Sequence, residues 1–256
     1  MRENLNNIGV DIIMPNYNSY PFIEETIQSI IKQSFQNWKL NIVDASSDNE
    51  TQKILKKYSD HPNINIIWLK KNKKAGFCRN LAIRKSKLEY IGFLDSDDIW
   101  DSNKVLKQLS FMLKNNYQFS YTNYTAFKNK KNKVIIRKIN PPKKFDFDSF
   151  IKNTSIGTST MIAKRSLIQN IKFSRTRICE DYFFKCQILK KIKFAYCLDE
   201  NLTKYRIRKN SLQSNKLRNL YWIWNINRNY NRLSFVKNFI SIMFISINSF
   251  KKYGFK

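Results

Sequence analysis

The sequence is poor in histidine and glycine, and both scarcities exclude classes of active site. His61 is the only histidine among 256 residues, which excludes a Ser-His-Asp triad, a multi-histidine metal centre and an HExxH protease. It lies in a predicted loop and is expected to take no part in chemistry. The five glycines are too widely spaced for either a GxGxxG fingerprint or a GxxxxGK phosphate loop. Carboxylates must therefore carry any acid–base or metal chemistry.

The sequence also lacks paired cysteine motifs and long apolar runs. Its cysteines show no CxxC spacing, and no basic segment followed by an apolar one marks a signal peptide. We therefore expect reduced thiols in a cytosolic protein. No stretch reaches the roughly 18 uncharged apolar residues needed to span a bilayer; the longest uncharged run near the end is 238–250. The chain is expected not to cross a membrane, although it could lie on one.

Acidic residues are scarce in only part of the chain. There are 47 Lys and Arg residues against 19 Asp and Glu, a formal charge of +28, yet residues 1–101 hold 14 basic and 13 acidic side chains. Residues 102–256 hold 33 basic and 6 acidic side chains, and 201–256 hold 12 basic and none acidic. Hydrophobic residues make up 42% of the chain, so a folded core is expected. The surplus of basic side chains in residues 102–256 indicates that this part of the chain has anionic partners.

Short β-branched runs alternate with amphipathic helical patterns. Strands are predicted at 8–14, 40–43, 64–69, 90–94, 119–127, 133–139, 158–163 and 194–205. Helices are predicted at 22–35, 50–58, 75–86, 104–113 and 180–192. This alternation predicts an α/β fold with a mostly parallel sheet and helices on both faces. We expect one domain over 1–212, with halves 1–101 and 102–212, followed by basic amphipathic helices over 213–256.

Polar side chains follow three of the predicted strands at their carboxyl ends, where ligands bind in sheets of this kind. These loops are Pro15-Asn16-Tyr17-Asn18, Asp44-Ala45-Ser46-Ser47-Asp48 and Asp95-Ser96-Asp97-Asp98. Asp95 and Asp97 lie two residues apart after an apolar strand, so their carboxylates emerge on the same side. Hard oxygen ligands in that setting suit Mg²⁺ or Mn²⁺ shared with a diphosphate. The sequence therefore predicts a metal and diphosphate site at this edge of the sheet.

Taken together, these motifs resemble the nucleotide-binding half of glycosyltransferase family 2. Besides the three loops, the resemblance is carried by Ala75-Gly76-Phe77-Cys78-Arg79-Asn80, Ile99-Trp100, Thr158-Ser159-Thr160, Glu180-Asp181-Tyr182 and Tyr205-Arg206. It covers residues 8–212. It implies a Rossmann-like GT-A fold and inverting transfer of a sugar from a nucleotide diphosphate sugar to a hydroxyl. The implied acceptor is a glycan or a lipid-linked molecule in the synthesis of a bacterial surface polysaccharide.

The resemblance also implies roles for individual residues on the donor side. Tyr17 would flank the nucleobase of the donor, most naturally uracil. Asp44 would accept a hydrogen bond from this nucleobase, and Arg79 would help to hold the nucleobase and Asp44. Asp95 would reach the ribose, and Asp97, with Asp95, would bind Mn²⁺ or Mg²⁺. The implied donor site is Pro15, Tyr17, Asp44, Arg79, Asp95, Ser96 and Asp97. Further candidates for contact with the diphosphate or the acceptor are Trp100, Arg206 and Arg208.

Asp181, with Glu180 beside it, matches the position of the catalytic base in that family. Inverting displacement requires a carboxylate that takes the acceptor's proton and positive charge for the leaving diphosphate. Asp181 is predicted in the first turn of a helix, whose dipole keeps it ionised. The alternative is that both acids only start the helix. Arg175 and Arg177, just upstream, could pair with phosphates or with an anionic acceptor.

Arg208 occupies the position at which many members of that family have a histidine, shortly after the Tyr-Arg pair. Arginine does not ligate a cation, but it neutralises phosphate directly. We therefore expect a weaker dependence on a divalent metal than is usual in the family.

Some of the polar residues have structural interpretations. Asp48 is expected to cap a helix, and Asp98 and Asp101 are expected to be first-turn acids of the helix that follows them. Asp44 could form a turn, and Tyr17 could pack in the core instead of against a base.

The tail carries apolar residues on helical faces among lysines and arginines. One predicted face comprises Leu217, Leu220, Tyr221 and Trp224, and another comprises Phe235, Phe239, Ile242, Met243 and Ile247. These faces are consistent with interfacial helices on anionic lipid and equally with helices that dock on the catalytic domain. The first interpretation places the protein in the cytoplasm, peripherally on the inner face of the cell membrane.

Two other classes of function compete with the glycosyltransferase. A nucleic-acid binder would use the +28 charge, but no helix-turn-helix, zinc spacing or RNP motif is present, and acidic strand ends would repel phosphate. A two-metal nuclease or nucleotidyltransferase would use the aspartates for transfer at phosphorus. Release of an intact nucleoside diphosphate distinguishes the glycosyltransferase from this second rival.

Overall fold

The arrangement of helices and strands comes from a computed structural model that describes residues 8–130, 133–176, 178–208 and 215–253, without the side chains of 129–130, 133–135 and 251–253. The strands are β1 (Val10–Asn16), β2 (Trp38–Asp44), β3 (Ile64–Trp68), β4 (Tyr90–Phe93), β5 (Ile99–Trp100), β6 (Phe119–Lys130), β7 (Lys133–Ile139), β8 (Lys144–Phe145), β9 (Ile162–Lys164) and β10 (Ala195–Arg206). The helices are α1 (Ile23–Ile31), α2 (Asn49–Lys56), α3 (Ala75–Lys85), α4 (Lys104–Lys114), α5 (Phe147–Phe150), α6 (Arg165–Ile168), α7 (Glu180–Leu189), α8 (Lys216–Asn225) and α9 (Phe235–Tyr253). The predicted boundary at 212 and Arg177 lie outside the described residues.

The strands form one sheet in the order β3-β2-β1-β4-β9-β6-β10-β5, with β7 beside β6 and β8 beside β10. β1 pairs in parallel with β2 and β4, and β2 with β3. β6 and β10 are also parallel, whereas β5, β7, β8 and β9 run antiparallel to their neighbours. The predicted α/β fold with a mostly parallel sheet is confirmed. Asn16 and Asp44 are partners in register, so the ends of β1 and β2 meet at one edge.

Helices cover both faces of the parallel strands, which explains why those strands read as apolar runs. Every residue of β1 and β4 is buried. Ile13 packs in a cluster with Ala82 of α3 and Phe184 of α7. The alternate residue Ile12 packs on the other face in a cluster that contains Ile27 of α1. Successive side chains of a strand thus supply two separate cores.

The prediction of a strand over 158–163 is wrong in its first half. Thr158–Thr160 forms a 3₁₀ turn, and only Ile162–Lys164 is a strand. The Thr160 backbone N–H and hydroxyl both donate to the Gly157 carbonyl, at 3.1 and 2.7 Å. Such local hydrogen bonds compete with strand pairing. The other elements predicted in the first 120 residues are confirmed with ends shifted by a few residues, while β5, β8, α5 and α6 were not predicted.

The tail packs partly on the body of the protein and is partly exposed. Ile223, Ile226 and Ile245 are buried in the same apolar cluster as Tyr182 of α7. On the predicted faces, Leu220, Trp224 and Ile242 are partly buried, whereas the exposed side chains are Leu217, Tyr221, Phe235, Phe239, Met243 and Ile247. Within the described ranges, no helix has the length and apolar character needed to cross a membrane. All four cysteines are unpaired thiols, as predicted.

Candidate active site

The ends of β1 and β2 are joined by a buried hydrogen-bond network around Asp44. One carboxylate oxygen accepts from the Asn16 amide at 2.7 Å and from the Ser47 hydroxyl, and the other accepts from the Ser47 backbone N–H at 3.0 Å. The Ser47 hydroxyl oxygen also accepts the backbone N–H of Asn18 at 3.0 Å. Asp44 therefore orders the loop that follows β1. These contacts agree with the interpretation of Asp44 as a turn former. The contact of Asp44 with a nucleobase stays a prediction.

Tyr17 and Pro15 lie on opposite sides of the point where β1 ends. Pro15 is buried in the strand opposite Val43. The Tyr17 side chain is 47% exposed in the loop, so it does not pack in the core. Asn18 follows with φ of 47°, which turns the chain sharply. Tyr17 thus offers a ring to solvent at the carboxyl edge of the sheet.

The loop after β4 places its acidic residues in different environments. Asp95 and Asp97 are half-buried, whereas Asp98 is fully buried. The Asp95 backbone N–H donates to the Ser159 hydroxyl oxygen at 3.1 Å. Ser96 is buried, and its carbonyl accepts from Thr26 of α1 at 3.2 Å. Half-buried and buried residues thus alternate along the loop. Asp95 and Asp97 face the surface, whereas the contacts of Ser96 and Asp98 hold the loop on the body of the protein.

The predictions for Asp98 and Asp101 as first-turn acids are wrong. α4 begins at Lys104 and has no acid in its first turn. Asp98 instead accepts from the Arg206 backbone N–H at 2.9 Å and from the Ser159 hydroxyl, so it ties the loop to β10. Burial, together with Asp97, raises its pKa well above the usual range. Asp101 lies before the helix and accepts the Asn103 N–H at 2.9 Å.

Trp100 is a core residue, so the prediction of a contact with diphosphate or acceptor is wrong. Its side chain is buried against Gly92 of β4, where an added Cβ would lie 3.0 Å from the indole ring. The indole N–H donates to the Ser159 carbonyl at 2.7 Å. Gly92 therefore makes room for the ring, and the ring positions the turn that supports the Asp95 loop.

Arg79 links the acidic loop after β4 with the start of α7. Its Nη2 lies 2.5 Å from Asp95 Oδ1, and its Nη1 lies 2.9 Å from Glu180 Oε1. Its side chain is buried, and burial alone would lower its pKa, but the two carboxylates raise it above the usual range. Burial likewise raises the pKa of Glu180 in spite of Arg79. The predicted contact of Arg79 with Asp44 is replaced by this bridge between two acidic motifs.

Asp181 lies in the first turn of α7, as predicted, and has a cation beside it. Lys185 Nζ is 2.8 Å from Asp181 Oδ2, and the Thr158 hydroxyl donates to the same oxygen at 3.1 Å. Burial would raise the pKa of Asp181, but Lys185, together with Arg79 and Thr158, lowers it to about 2. Lys185 was not singled out from the sequence, and Thr158 was named only as part of the motif Thr158-Ser159-Thr160. The i, i+4 spacing of Asp181 and Lys185 on a predicted helix was the available signal.

Arg206 and Arg208 contact the acidic loop from β10 and the segment after it. The Arg206 guanidinium lies between the rings of Phe22 and Phe127, and its Nε donates to the Asp97 carbonyl at 2.9 Å. It supports the loop from within. Arg208 Nε is 2.7 Å from Asp97 Oδ2, and the Arg208 side chain is partly exposed. Burial raises the pKa of Asp97 in spite of this guanidinium.

Asp95 and Asp97 fit a divalent cation only as an incomplete ligand set. Among the described residues, no cluster of three or more His, Cys, Asp or Glu side chains could hold a metal ion. Mg²⁺, however, is commonly held by one or two carboxylates together with substrate phosphates and water. The two oxygen-donor side chains therefore match a metal that a bound diphosphate completes.

A cavity of about 520 Å³ opens between these motifs and the tail. Asp95 and Asp181 both line it, with Thr158 and Lys185 near Asp181. Arg208 and Lys216 contribute positive charge, and apolar side chains of α8 and α9 form another wall. The cavity can therefore hold a molecule that touches both acidic motifs at once.

Other predicted residues lie outside this cavity. Asp48 caps α2 by accepting the Thr51 N–H at 2.9 Å, as predicted. Arg175 is exposed. His61 stacks on Trp38 at the start of β2, which is the edge of the sheet opposite the acidic loops.

Comparisons with known proteins agree on one family. The family model for Glycosyl transferase family 2 matches residues 11–172. The chain is 34% identical over 229 residues to the putative teichuronic acid biosynthesis glycosyltransferase TuaG of Bacillus subtilis, covering 89% of this chain and 90% of that one. It is 36% identical over 227 residues to the UDP-Glc:alpha-D-GlcNAc-diphosphoundecaprenol beta-1,3-glucosyltransferase WfgD of Escherichia coli, covering 85% and 84%. The structure of S. aureus TarS 1–349 in complex with UDP-GlcNAc is similar with a TM-score of 0.72 at 19% identity, covering 95% of this chain and 73% of that one.

Proposed function

We propose a reaction and residue roles for this chain, which belongs to glycosyltransferase family 2 and is a glycosyltransferase with the GT-A fold. The proposed reaction moves a sugar from a UDP-sugar to a hydroxyl of a glycan or lipid-linked acceptor, with inversion at the anomeric carbon. The names of the WfgD and TuaG relatives support a UDP-sugar donor and a role in cell-surface polysaccharide synthesis.

One observation carries the proposal: Asp95 and Asp181 line the same cavity, and Arg79 bridges the loop of Asp95 to Glu180 at the start of α7. A transfer between a bound diphosphate sugar and an acceptor needs a diphosphate site and a base that face one another across the reacting carbon. The shared cavity supports this division of labour. Asp95 belongs to the donor end, and Asp181 belongs to the acceptor end.

Asp181 is the proposed catalytic base. The acceptor oxygen attacks the anomeric carbon, the bond from that carbon to the diphosphate oxygen breaks, and the hydroxyl proton passes to Asp181. Because its pKa is lowered to about 2, Asp181 is ionised before the acceptor binds. The hydroxyl becomes acidic as its oxygen forms the new bond, so even a weakly basic carboxylate can take the proton in the transition state. Glu180, paired with Arg79, holds the donor end in place.

Positive charge is needed where the nucleoside diphosphate leaves. Mn²⁺ or Mg²⁺ held by Asp97 and Asp95 with the donor phosphates would neutralise the negative charge that grows on the leaving diphosphate. Arg208, beside Asp97, places a guanidinium at the same point. Tyr17 is proposed to flank the nucleobase of the donor. Asp44 is proposed to order the loop that carries Tyr17.

A screen of nucleotide sugars for binding and slow hydrolysis tests the proposal. We expect Asp181→Asn to bind a UDP-sugar normally but to lose hydrolysis and transfer, because it removes the proposed proton acceptor and leaves the residues of the proposed donor site unchanged. Asp97→Asn should lose donor binding. Asp60→Asn, which changes an exposed carboxylate outside the cavity, is the matched control and should behave as the wild type. Release of intact UDP is expected; release of UMP, or no binding of any nucleotide sugar, would reject the proposed reaction.

A further inference from the structure

Two consecutive hydroxyls in one short turn contact both acidic motifs of the cavity. The turn is Thr158–Thr160, which lies just before β9. The Thr158 hydroxyl contacts Asp181, 23 residues further along the chain. The Ser159 hydroxyl contacts the backbone of Asp95, 64 residues back. Because Asp95 and Asp181 both line the cavity, one turn touches the proposed donor end and the proposed base at the same time.

The Thr158 hydroxyl both accepts and donates a hydrogen bond beside the base. Lys185 Nζ donates to its oxygen at 3.2 Å, and the hydroxyl donates to Asp181 Oδ2 at 3.1 Å. An ammonium only donates and an ionised carboxylate only accepts, so these two partners fix the direction of the hydroxyl. Lys185 Nζ is also 2.8 Å from the same Oδ2, which closes a triangle of three groups. Among the described residues, no group donates to the other oxygen of Asp181, Oδ1, which is therefore the oxygen open to a proton from the acceptor.

The Ser159 hydroxyl makes the equivalent pair of hydrogen bonds on the donor side. Its oxygen accepts the Asp95 backbone N–H at 3.1 Å, and its own proton is donated to the buried carboxylate of Asp98. Asp98 in turn accepts the Arg206 backbone N–H at 2.9 Å. Ser159 thus fixes the backbone from which the Asp95 side chain extends, and the direction of that side chain depends on this contact.

The turn is itself held by the core of the protein. The Ser159 carbonyl accepts the Trp100 indole N–H at 2.7 Å and the Thr203 hydroxyl at 3.4 Å. The Thr160 carbonyl accepts from the buried Gln108 amide at 3.1 Å. All three residues of the turn are buried. Interior groups packed and hydrogen-bonded in this way have little freedom to shift, so the turn can serve as a fixed reference for the groups around it.

The turn and Arg79 link the same two motifs at different points. Arg79 contacts the side chains of Asp95 and Glu180. The turn contacts the backbone of Asp95 and the side chain of Asp181. Arg79 therefore leaves the orientation of the Asp181 carboxylate open, whereas the Thr158 hydroxyl defines it.

We propose that Thr158 and Ser159 are positioning residues for the transfer: Ser159 directs Asp95 at the donor end, Thr158 aims Asp181 at the acceptor, and their shared turn fixes one relative to the other. This inference rests on the proposed function. Neither hydroxyl forms or breaks a covalent bond in the reaction. A misplacement of about 1 Å can cost on the order of a hundredfold in rate, so a fixed spacing of the two ends has a direct effect on turnover.

The proposal predicts opposite kinetic effects for two neighbouring substitutions. Ser159→Ala should weaken the binding of UDP by about tenfold, because the backbone at Asp95 loses its hydrogen-bond acceptor. At saturating donor, its kcat for hydrolysis of a UDP-sugar should stay within about twofold of the wild type, since the contacts of Asp181 are unchanged. Thr158→Val should bind UDP as the wild type does but lower this kcat by about tenfold. Thr158→Ser keeps the hydroxyl and should restore it.

Calorimetric titration with UDP and hydrolysis of the UDP-sugar that the wild type cleaves fastest measure these effects. Each variant reports on its own folding, because each should retain one of the two properties. Ser155→Ala is the matched control. Ser155 lies shortly before the turn and is 2% exposed, against 3% for Ser159, but within the described part of the chain its hydroxyl has no hydrogen-bond partner. Its removal should change neither property.

Loss of the same property in Ser159→Ala and Thr158→Val would overturn the proposal, since it would show that the turn only supports the fold. An equal loss in Ser155→Ala, or a Thr158→Ser variant as slow as Thr158→Val, would also overturn it. These results are distinct from failure of the proposed function, in which the wild type itself neither binds UDP nor hydrolyses any UDP-sugar.

Discussion

Lys185 Nζ lies 2.8 Å from Asp181 Oδ2, one turn further along α7, and the lysine side chain is almost fully buried. The Lys185 ammonium also donates to the Thr158 hydroxyl at 3.2 Å. This pair gives the proposed base a fixed orientation and opposes the effect of burial on its pKa. Lys185 therefore positions Asp181 and keeps it ionised.

Replacement of Lys185 by Met is expected to move the acid limb of the pH–rate profile upward. Without the ammonium, burial dominates and raises the pKa of Asp181 from about 2. The acid limb of kcat should then appear at a higher pH, because the base must lose its proton first. Measurement of kcat from about pH 4 to about pH 8 checks this expectation.

The matched control for this experiment is Lys191→Met, which removes an exposed ammonium just after the same helix. Its profile should equal that of the wild type. An unchanged profile for Lys185→Met would show that Lys185 has only a packing role.

In the wild type, the stability contributed by Asp181 is present above its ordinary pKa of 3.8 and is lost as the pH falls toward about 2.

Arg79→Lys is expected to destabilise the protein and to weaken donor binding. The two contacts use separate guanidinium nitrogens, Nη2 and Nη1, and the single nitrogen of a lysine cannot occupy both positions, so one of the two carboxylates would lose its partner. The cost should be about 3 kcal/mol, within the range for breaking one side of a buried ion pair. Urea unfolding and donor titration measure the two effects. Arg84→Lys, at an exposed position of α3, is the control, and equal losses in both variants would contradict a specific role for the bridge.

Arg208→Ala is expected to make hydrolysis of the donor more dependent on a divalent metal. The guanidinium beside Asp97 is proposed to supply positive charge where the diphosphate leaves, so the wild type should keep part of its activity in a chelator. The variant should lose this residual activity and recover when Mn²⁺ is added. Assays with and without chelator measure the difference, with Arg84→Ala as control. Complete loss of wild-type turnover in the chelator, together with an unaffected Arg208→Ala variant, would reject the expectation.

Asn227→Ala is expected to loosen the tail from helix α7. The Asn227 side-chain oxygen Oδ1 accepts from the Tyr182 hydroxyl at 2.7 Å, while its side-chain Nδ2 donates to Asn238 and Ser241. Removing the side chain leaves buried partners unpaired, at about 1–3 kcal/mol for each. Chemical unfolding and proteolysis of the tail measure the loss. Asn229→Ala, exposed in the same turn, should change neither, and a loss of the same size in that variant would contradict the proposed docking.

The parallel half of the sheet could be predicted because its information is local. β1 and β4 are apolar throughout since helices cover both of their faces, and such runs stand out from the helices between them. The strand-end position of Asp95 and Asp97 followed from the same pattern. The first turn of α7, with Asp181 in it, was predictable from the helical period.

The contacts of the site could not be predicted, because they join residues that are distant in the chain. Asp98 was assigned to the next helix, yet its carboxylate reaches Arg206 and Ser159, 108 and 61 residues away. Trp100 looked like part of the acidic motif, but Gly92 makes a core pocket for it. Local spacing does not reveal which partner a buried polar group will find.

By itself, the sequence determined the α/β alternation, the carboxylates at the strand ends and the uneven distribution of charge, because each depends on neighbours within a few residues. The tertiary structure decided that Arg79 bridges two acidic motifs and that Lys185 accompanies Asp181. It also decided which side of the tail is covered. The hydrophobic pattern of α9 alone would place its apolar face inward, but the hydrogen bonds of Asn238 and Ser241 to distant partners turn that face outward.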